Sequence, residues 1–151
     1  MPLTRVYIEQ GKSTVFAVCL DWPGWCRHAK TQDLAIAALD DYRARYAEVV
    51  NGPFKPGAFS VVGNVKGTGT TDFGAPDALG PWDDVALTTR ELQRQLALLQ
   101  DGWDYFDRTV KLAPPTMKRG PRGGGRDRDA IVDHVREARY EGKLCLGPEL
   151  K

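Results

Sequence analysis

The stretch Leu20-Asp21-Trp22-Pro23-Gly24-Trp25-Cys26, followed by Thr31-Gln32-Asp33-Leu34-Ala35, separates a strand-forming region from a helix. Trp22-Pro23-Gly24-Trp25 reads as a rigid turn. Thr31 offers a hydroxyl to cap the helix that begins after it. Upstream, Arg5 to Glu9 and Thr14 to Leu20 are short runs rich in β-branched and aromatic residues. Gln10-Gly11-Lys12-Ser13 joins them, which predicts a hairpin. Downstream, Ala35, Leu39, Tyr42, Tyr46 and Val49 alternate at spacings of four and three, so they share one helix face until Asn51-Gly52 ends the helix. Phe59 to Val65 reads as a third strand. The expected fold here is α+β: a three-stranded antiparallel sheet with one covering helix, in the order β-β-α-β, because sheet and helix each have one apolar face to bury.

Residues 67–87 are rich in Gly, Thr, Asp and Pro and read as a linker. Beyond it Thr88-Thr89-Arg90-Glu91 is a capping box. Leu92, Leu96, Leu99, Trp103, Phe106 and Val110 then keep a strict four-three alternation, with Asp104/Arg108 and Asp107/Lys111 as outer ion pairs. Gly102 inside this helix costs about 1 kcal/mol relative to alanine, and Ala113-Pro114-Pro115 ends it. A second helix, capped by Asp127 or Asp129, places Ile131, Val135 and Ala138 on one face and frays near Gly142. The expected organisation is a sheet domain over 1–66, a linker over 67–87 and a long-helix hairpin over 88–151. Two such helices cannot bury their stripes against each other alone. The missing surface is the sheet domain, a second copy of the chain or another protein, and the shortage points to a homo-oligomer, most simply a dimer.

The 151 residues are 42% hydrophobic and 27% charged, which suits one or two small globular domains. The net charge of +1 argues against nonspecific nucleic-acid coating, and no apolar run approaches the roughly 20 residues of a membrane span. Three cysteines (Cys19, Cys26, Cys145) do not make a disulfide framework, and no leader is evident, so a cytoplasmic protein is expected. The near-neutral total hides a layout in which residues 76–107 carry 2 basic and 7 acidic groups, and residues 108–128 carry 7 and 1.

The Leu20–Cys26 turn and the Thr31-capped helix after a hairpin resemble the signature of HicB-type antitoxins over residues 5–65. That resemblance implies a fold that masks a small HicA-like toxin. No segment is similar to a ribbon-helix-helix or helix-turn-helix, so it does not extend to DNA binding. The Gly-rich turn followed by Asp129-Ala130-Ile131-Val132-Asp133-His134-Val135-Arg136-Glu137-Ala138 is similar to the first histidine-bearing helix of DinB-like bundles, a likeness covering about residues 82–142. It implies a bundle that stops after two helices, without the family's complete metal triad.

Trp22 and Trp25 on the Pro-Gly turn suit a partner-binding surface, or else they fold back over the sheet. Arg119, Arg122, Arg126 and Arg128 lie in a basic Gly-rich connection that would suit phosphate or RNA, or is a solvated loop balancing the acidic stretch before it. His134 reads first as a packed or surface residue at a helix edge. Its alternative is a metal ligand, zinc for instance, completed by Cys26 and His28. No cofactor is otherwise indicated. Gly11-Lys12-Ser13-Thr14 mimics a phosphate loop but bridges two strands, Asp83-Asp84 reads as the polar approach to the Thr88 cap, and no serine nucleophile is evident. The function these features favour is a non-catalytic interaction protein. The alternative is a diverged metal- or thiol-dependent enzyme of the DinB-like kind.

Overall fold

A computed structural model describes residues 2–120 and 123–145, with side chains of the last helix described through Ala138. It is α+β, with strands β1 (Thr4–Gln10), β2 (Val15–Cys19), β3 (Cys26–Ala29) and β4 (Phe59–Lys66). The helices are α1 (Gln32–Asp41), α2 (Arg43–Ala47), α3 (Gly69–Phe73), α4 (Thr89–Leu112) and α5 (Arg128–Cys145). A 3-10 turn spans Pro81–Asp84. No helix among the described residues is long and apolar enough to cross a membrane. Two compact units, Met1–Gly102 and Trp103–Lys151, divide within α4.

The sheet has four strands in the order β3-β2-β1-β4 and is mixed, which corrects the three-stranded antiparallel expectation. β1 pairs antiparallel with β2, with Val6 opposite Cys19 and Gln10 opposite Val15. β2 pairs antiparallel with β3. β4 runs parallel to β1. The direction of β4 follows from parity: a single helical crossover returns the chain parallel to the strand it left. With β3 counted, β1 and β3 point the same way, and so does β4. Leaving β3 out reverses the predicted direction of β4. β3 is a four-residue edge strand, Cys26-Arg27-His28-Ala29, too short to show alternation.

Alternation along β1 puts Val6 and Ile8 on one face and Tyr7 and Glu9 on the other, and all four are buried. Under the first face lie α1 and the core of Val6, Ile8, Val15, Ala17, Cys19, Trp25, Ala35, Leu39 and Tyr46. Fully burying a residue such as Ile8 or Leu39 contributes about 1.5–3 kcal/mol. The expected Thr31 cap is present, its hydroxyl accepting from Leu34 N at 3.3 Å. The helix expected to continue to Asn51 is interrupted at Tyr42 and resumes as α2.

The second face is covered by the segment read as a linker. Glu9 is fully buried, and its carboxylate accepts from the Thr71 hydroxyl (2.5 Å), Asp77 N (2.9 Å) and Ala78 N (3.2 Å). A buried carboxylate is tolerable only when so saturated. Trp82 lies over Tyr7 with ring centroids 4.5 Å apart. Gly63 makes room for it, since a Cβ there would meet the indole at 2.9 Å. Burial, then the nearby Glu9 and Asp83, push the Tyr7 phenol up to about 12.

Candidate interaction surface

The Leu20–Cys26 turn is built as its sequence requires. Trp25 N donates to Trp22 O at 3.2 Å, and Gly24 has φ +88°, a positive value that glycine takes without strain. Asp21 anchors the turn to β1, accepting from Arg5 N (2.6 Å) and Arg5 Nε (2.9 Å). Trp25 is fully buried, stacked on Tyr46 at 5.5 Å and edge-on to Phe54 and Phe59, with its indole N–H donating to Leu39 O at 2.9 Å. It therefore belongs to the core and is not part of a partner-binding surface. Trp22 is half-buried, edge-on to Phe54 at 4.7 Å. Both rings pack on Tyr46 and Phe54.

Helix α4 begins with the expected capping box: Glu91 N donates to the Thr88 hydroxyl (3.2 Å) and Thr88 N to the Glu91 carboxylate (3.1 Å). These bonds to Thr88 hold the Glu91 carboxyl below its ordinary range. Two residues one heptad apart then clasp the helix to the sheet unit. The Arg94 guanidinium donates to Asp21 O and sits 4.6 Å over the Trp22 ring, while the Asp101 carboxylate accepts from Asn51 N at 2.9 Å. Leu92, Leu96 and Leu99 lie roughly 180° around the helix from Arg94 and Asp101. They are 47%, 56% and 55% exposed. Leu87, the residue before the Thr88 cap, is 48% exposed. A helix normally turns its leucines inward and its charges outward. Here the polar edge is docked and the leucine stripe faces solvent.

The remaining candidate residues are not gathered into a site. His134 is exposed on α5. Among the described residues, no group of three or more His, Cys, Asp or Glu side chains is arranged to hold a metal ion. Burial raises the thiol of Cys19 to about 11 and pushes that of Cys26 upward too, so neither is poised as the thiolate a thiol-dependent enzyme needs. The side chain of Cys145 lies outside the described residues. In the basic connection, Arg119 donates to Gly125 O at 2.7 Å and approaches Asp127 at 3.4 Å. Arg128 pairs with Asp129 at 2.9 Å and reaches Ala113 O at 3.2 Å. Arg126 is exposed, and Arg122 lies outside the described residues. Arg119 and Arg128 thus hold the loop to itself.

The phosphate-loop mimic is filled from within the chain. Asp72 accepts from Lys12 N (3.0 Å), Ser13 N (2.9 Å), Thr14 N (3.1 Å) and the Ser13 hydroxyl (3.2 Å). The backbone donors, Ser13 and Lys12 foremost, hold its carboxyl below the ordinary range. Sequence reasoning missed this contact and the Glu9 anchor. The signals were Thr68-Gly69-Thr70-Thr71-Asp72, which has the form of a helix start, and Trp82, an indole too large to leave in a loop.

A scan of family models, a search of curated proteins and a search of solved structures each found no significant match. The HicB-like and DinB-like resemblances rest on the Leu20–Cys26 and Asp129–Ala138 motifs alone.

Proposed function

We propose that this chain is a non-catalytic interaction protein in which an antitoxin-like sheet unit presents helix α4 to a protein partner. One observation carries the reading: α4 is clasped through Arg94 and Asp101, so that Leu92, Leu96 and Leu99 stand in solvent on the opposite side. Exposed apolar side chains in a contiguous row mark interaction sites in soluble proteins. The LDWPGW turn has a different role from that of a contact surface. Trp22 and Asp21 receive Arg94 and so fix the angle at which the stripe is offered. Raised thiols, an exposed His134 and a self-tied basic loop support a binding role over a catalytic one.

Native mass spectrometry of the purified chain, with elemental analysis, tests this. The expected species is a metal-free assembly heavier than 16.7 kDa, either of this chain alone or with a small partner such as a HicA-like toxin. A monomer carrying stoichiometric metal that His134→Ala removes would replace the reading with the DinB-like enzyme.

A further inference from the structure

We propose that Asn51 is a site of spontaneous deamidation, converted through the Gly52 amide to aspartate and isoaspartate, and that the new charge loosens the Asp101 end of the α4 clasp. The inference concerns a modification site and stands apart from the interaction reading.

The local backbone is the first argument. Gly52 takes φ +148°, a value that glycine alone adopts without strain, and nothing lies within 4 Å of the point where a Cβ would stand. The turn after α2 therefore demands glycine, and glycine leaves the main-chain nitrogen that follows Asn51 unshielded. Both residues are exposed. Among the described residues, Asn51 is held through its main-chain N–H, which donates to Asp101 at 2.9 Å, and neither its side-chain amide nor the Gly52 N–H has a hydrogen-bond partner.

That freedom sets the chemistry. The Gly52 nitrogen gives up its proton to solvent and bonds to Asn51 Cγ, while the Cγ–Nδ2 bond breaks and ammonia leaves. Water then opens the succinimide ring. Breaking the new bond to Cγ gives aspartate, and breaking the bond to the main-chain carbonyl gives isoaspartate. Overall an amide and water become a carboxyl group and ammonia, so solvent is the sole co-reactant.

Two other positions show what the fold decides. Asn64, the other asparagine of the chain, precedes Val65 in β4, where a β-branched side chain shields the nitrogen and pairing holds the backbone extended. Asp101-Gly102 has an equally small neighbour, yet Gly102 lies inside α4, whose ladder engages its amide. The consequence of the reaction falls on the clasp. The product places a carboxylate on the very residue whose N–H the Asp101 carboxylate accepts, and like charges repel there. Arg94, seated on Asp21 and Trp22, is left as it is.

Incubation of the full chain at mildly alkaline pH, followed by trypsin and mass spectrometry, tests the proposal. Lys55 precedes Pro56, so trypsin releases residues 46–66 as one peptide that carries both asparagines, and Asn64 is the internal reference. A gain of about 1 Da is expected at residue 51, at least about tenfold faster than at residue 64, with isoaspartate identified by electron-transfer fragmentation. The same chain unfolded in guanidinium gives the rate without the fold, and the folded rate at Asn51 should lie within about tenfold of it. Amide exchange in the aged chain should quicken about threefold in the turn of α4 around Asp101 and stay unchanged around Arg94. Asn51→Gln, whose longer side chain closes the ring far more slowly, should keep the exchange of fresh protein after the same incubation. Modification of Asn51 no faster than that of Asn64, or a folded rate more than about tenfold below the unfolded one, overturns the site. A modified chain whose α4 exchanges like the fresh protein overturns the coupling to the clasp.

Discussion

Helices α1 and α4 treat their apolar residues in opposite ways. α1 is short, yet it buries Ala35 and Leu39 completely against the sheet. α4 is 24 residues long, carries the more regular stripe, and has no buried residue. In α1 the apolar face is part of the folding core. In α4 the docked edge is polar, and Leu92, Leu96 and Leu99 stand in solvent. The regularity of a hydrophobic pattern therefore measures how well a face would bury, and says nothing about what it buries against.

The sharpest way to break this comparison is to make the same substitution in both helices. Leu39→Ala should cost about 2–5 kcal/mol, since it empties a fully enclosed site beside Trp25. Leu96→Ala, measured in dilute solution, should cost less than about 0.5 kcal/mol. Urea unfolding of both variants checks this. Equal losses would mean that α4 is buried within the chain after all.

A second test asks whether the 67–87 segment belongs with the core, as α1 does, or with the exposed surface, as α4 does. Glu9→Ala leaves the Thr71 hydroxyl and the amides of Asp77 and Ala78 without their acceptor, at a cost of about 1–3 kcal/mol. Trp82 fluorescence should redden as the segment lifts from Tyr7. Unchanged stability and emission would show that Trp82 alone holds it.

These two regions also show what was legible in the sequence. The hairpin, α1 and α4 announce themselves because period and capping chemistry are local: Thr31 and Thr88 cap where their spacing says they should. β3 was illegible because four residues cannot display a period of two, and its omission reversed the inferred direction of β4. Glu9 was illegible for another reason. An acid in a strand reads as an outward residue, and only the distant Thr71, Asp77 and Ala78 make its burial affordable. The clasp behaves likewise. Arg94 and Asp101 look like ordinary solvent-facing charges until Asp21, Trp22 and Asn51 arrive from elsewhere in the chain. Local order is written in neighbours, whereas these contacts join residues fifty or more positions apart.

Arg94→Ala probes the clasp itself. It removes a guanidinium–indole contact and a hydrogen bond to a partly exposed carbonyl, together about 1 kcal/mol. Amide exchange should quicken over the first three turns of α4 and stay unchanged in α1. Faster exchange in both helices would mean that α4 supports the core and does not merely dock on it.

The smallest effect concerns Asp72, and pH isolates it. Its carboxyl lies below the ordinary range because the amides of Ser13, Lys12 and Thr14 bind the charged form. The folded state therefore releases this proton more readily than the unfolded chain. The resulting stabilisation is fully present above the unfolded value of about 4 and is lost as pH falls through the lower folded value. Asp72→Asn forfeits it, because an amide offers one acceptor where the carboxylate offers two and brings a donor toward the turn's own donors. Glu91 is likewise held low, by its bonds to Thr88, so the native curve alone mixes the two carboxylates. The difference between native and Asp72→Asn urea midpoints removes the Glu91 share. That difference should be constant from neutrality down to about pH 5 and shrink toward zero with further acidification. A difference that persists undiminished in strong acid would mean that Asp72 holds the β1–β2 turn through shape and not through charge, and that the turn's three convergent amides do not depend on an anion.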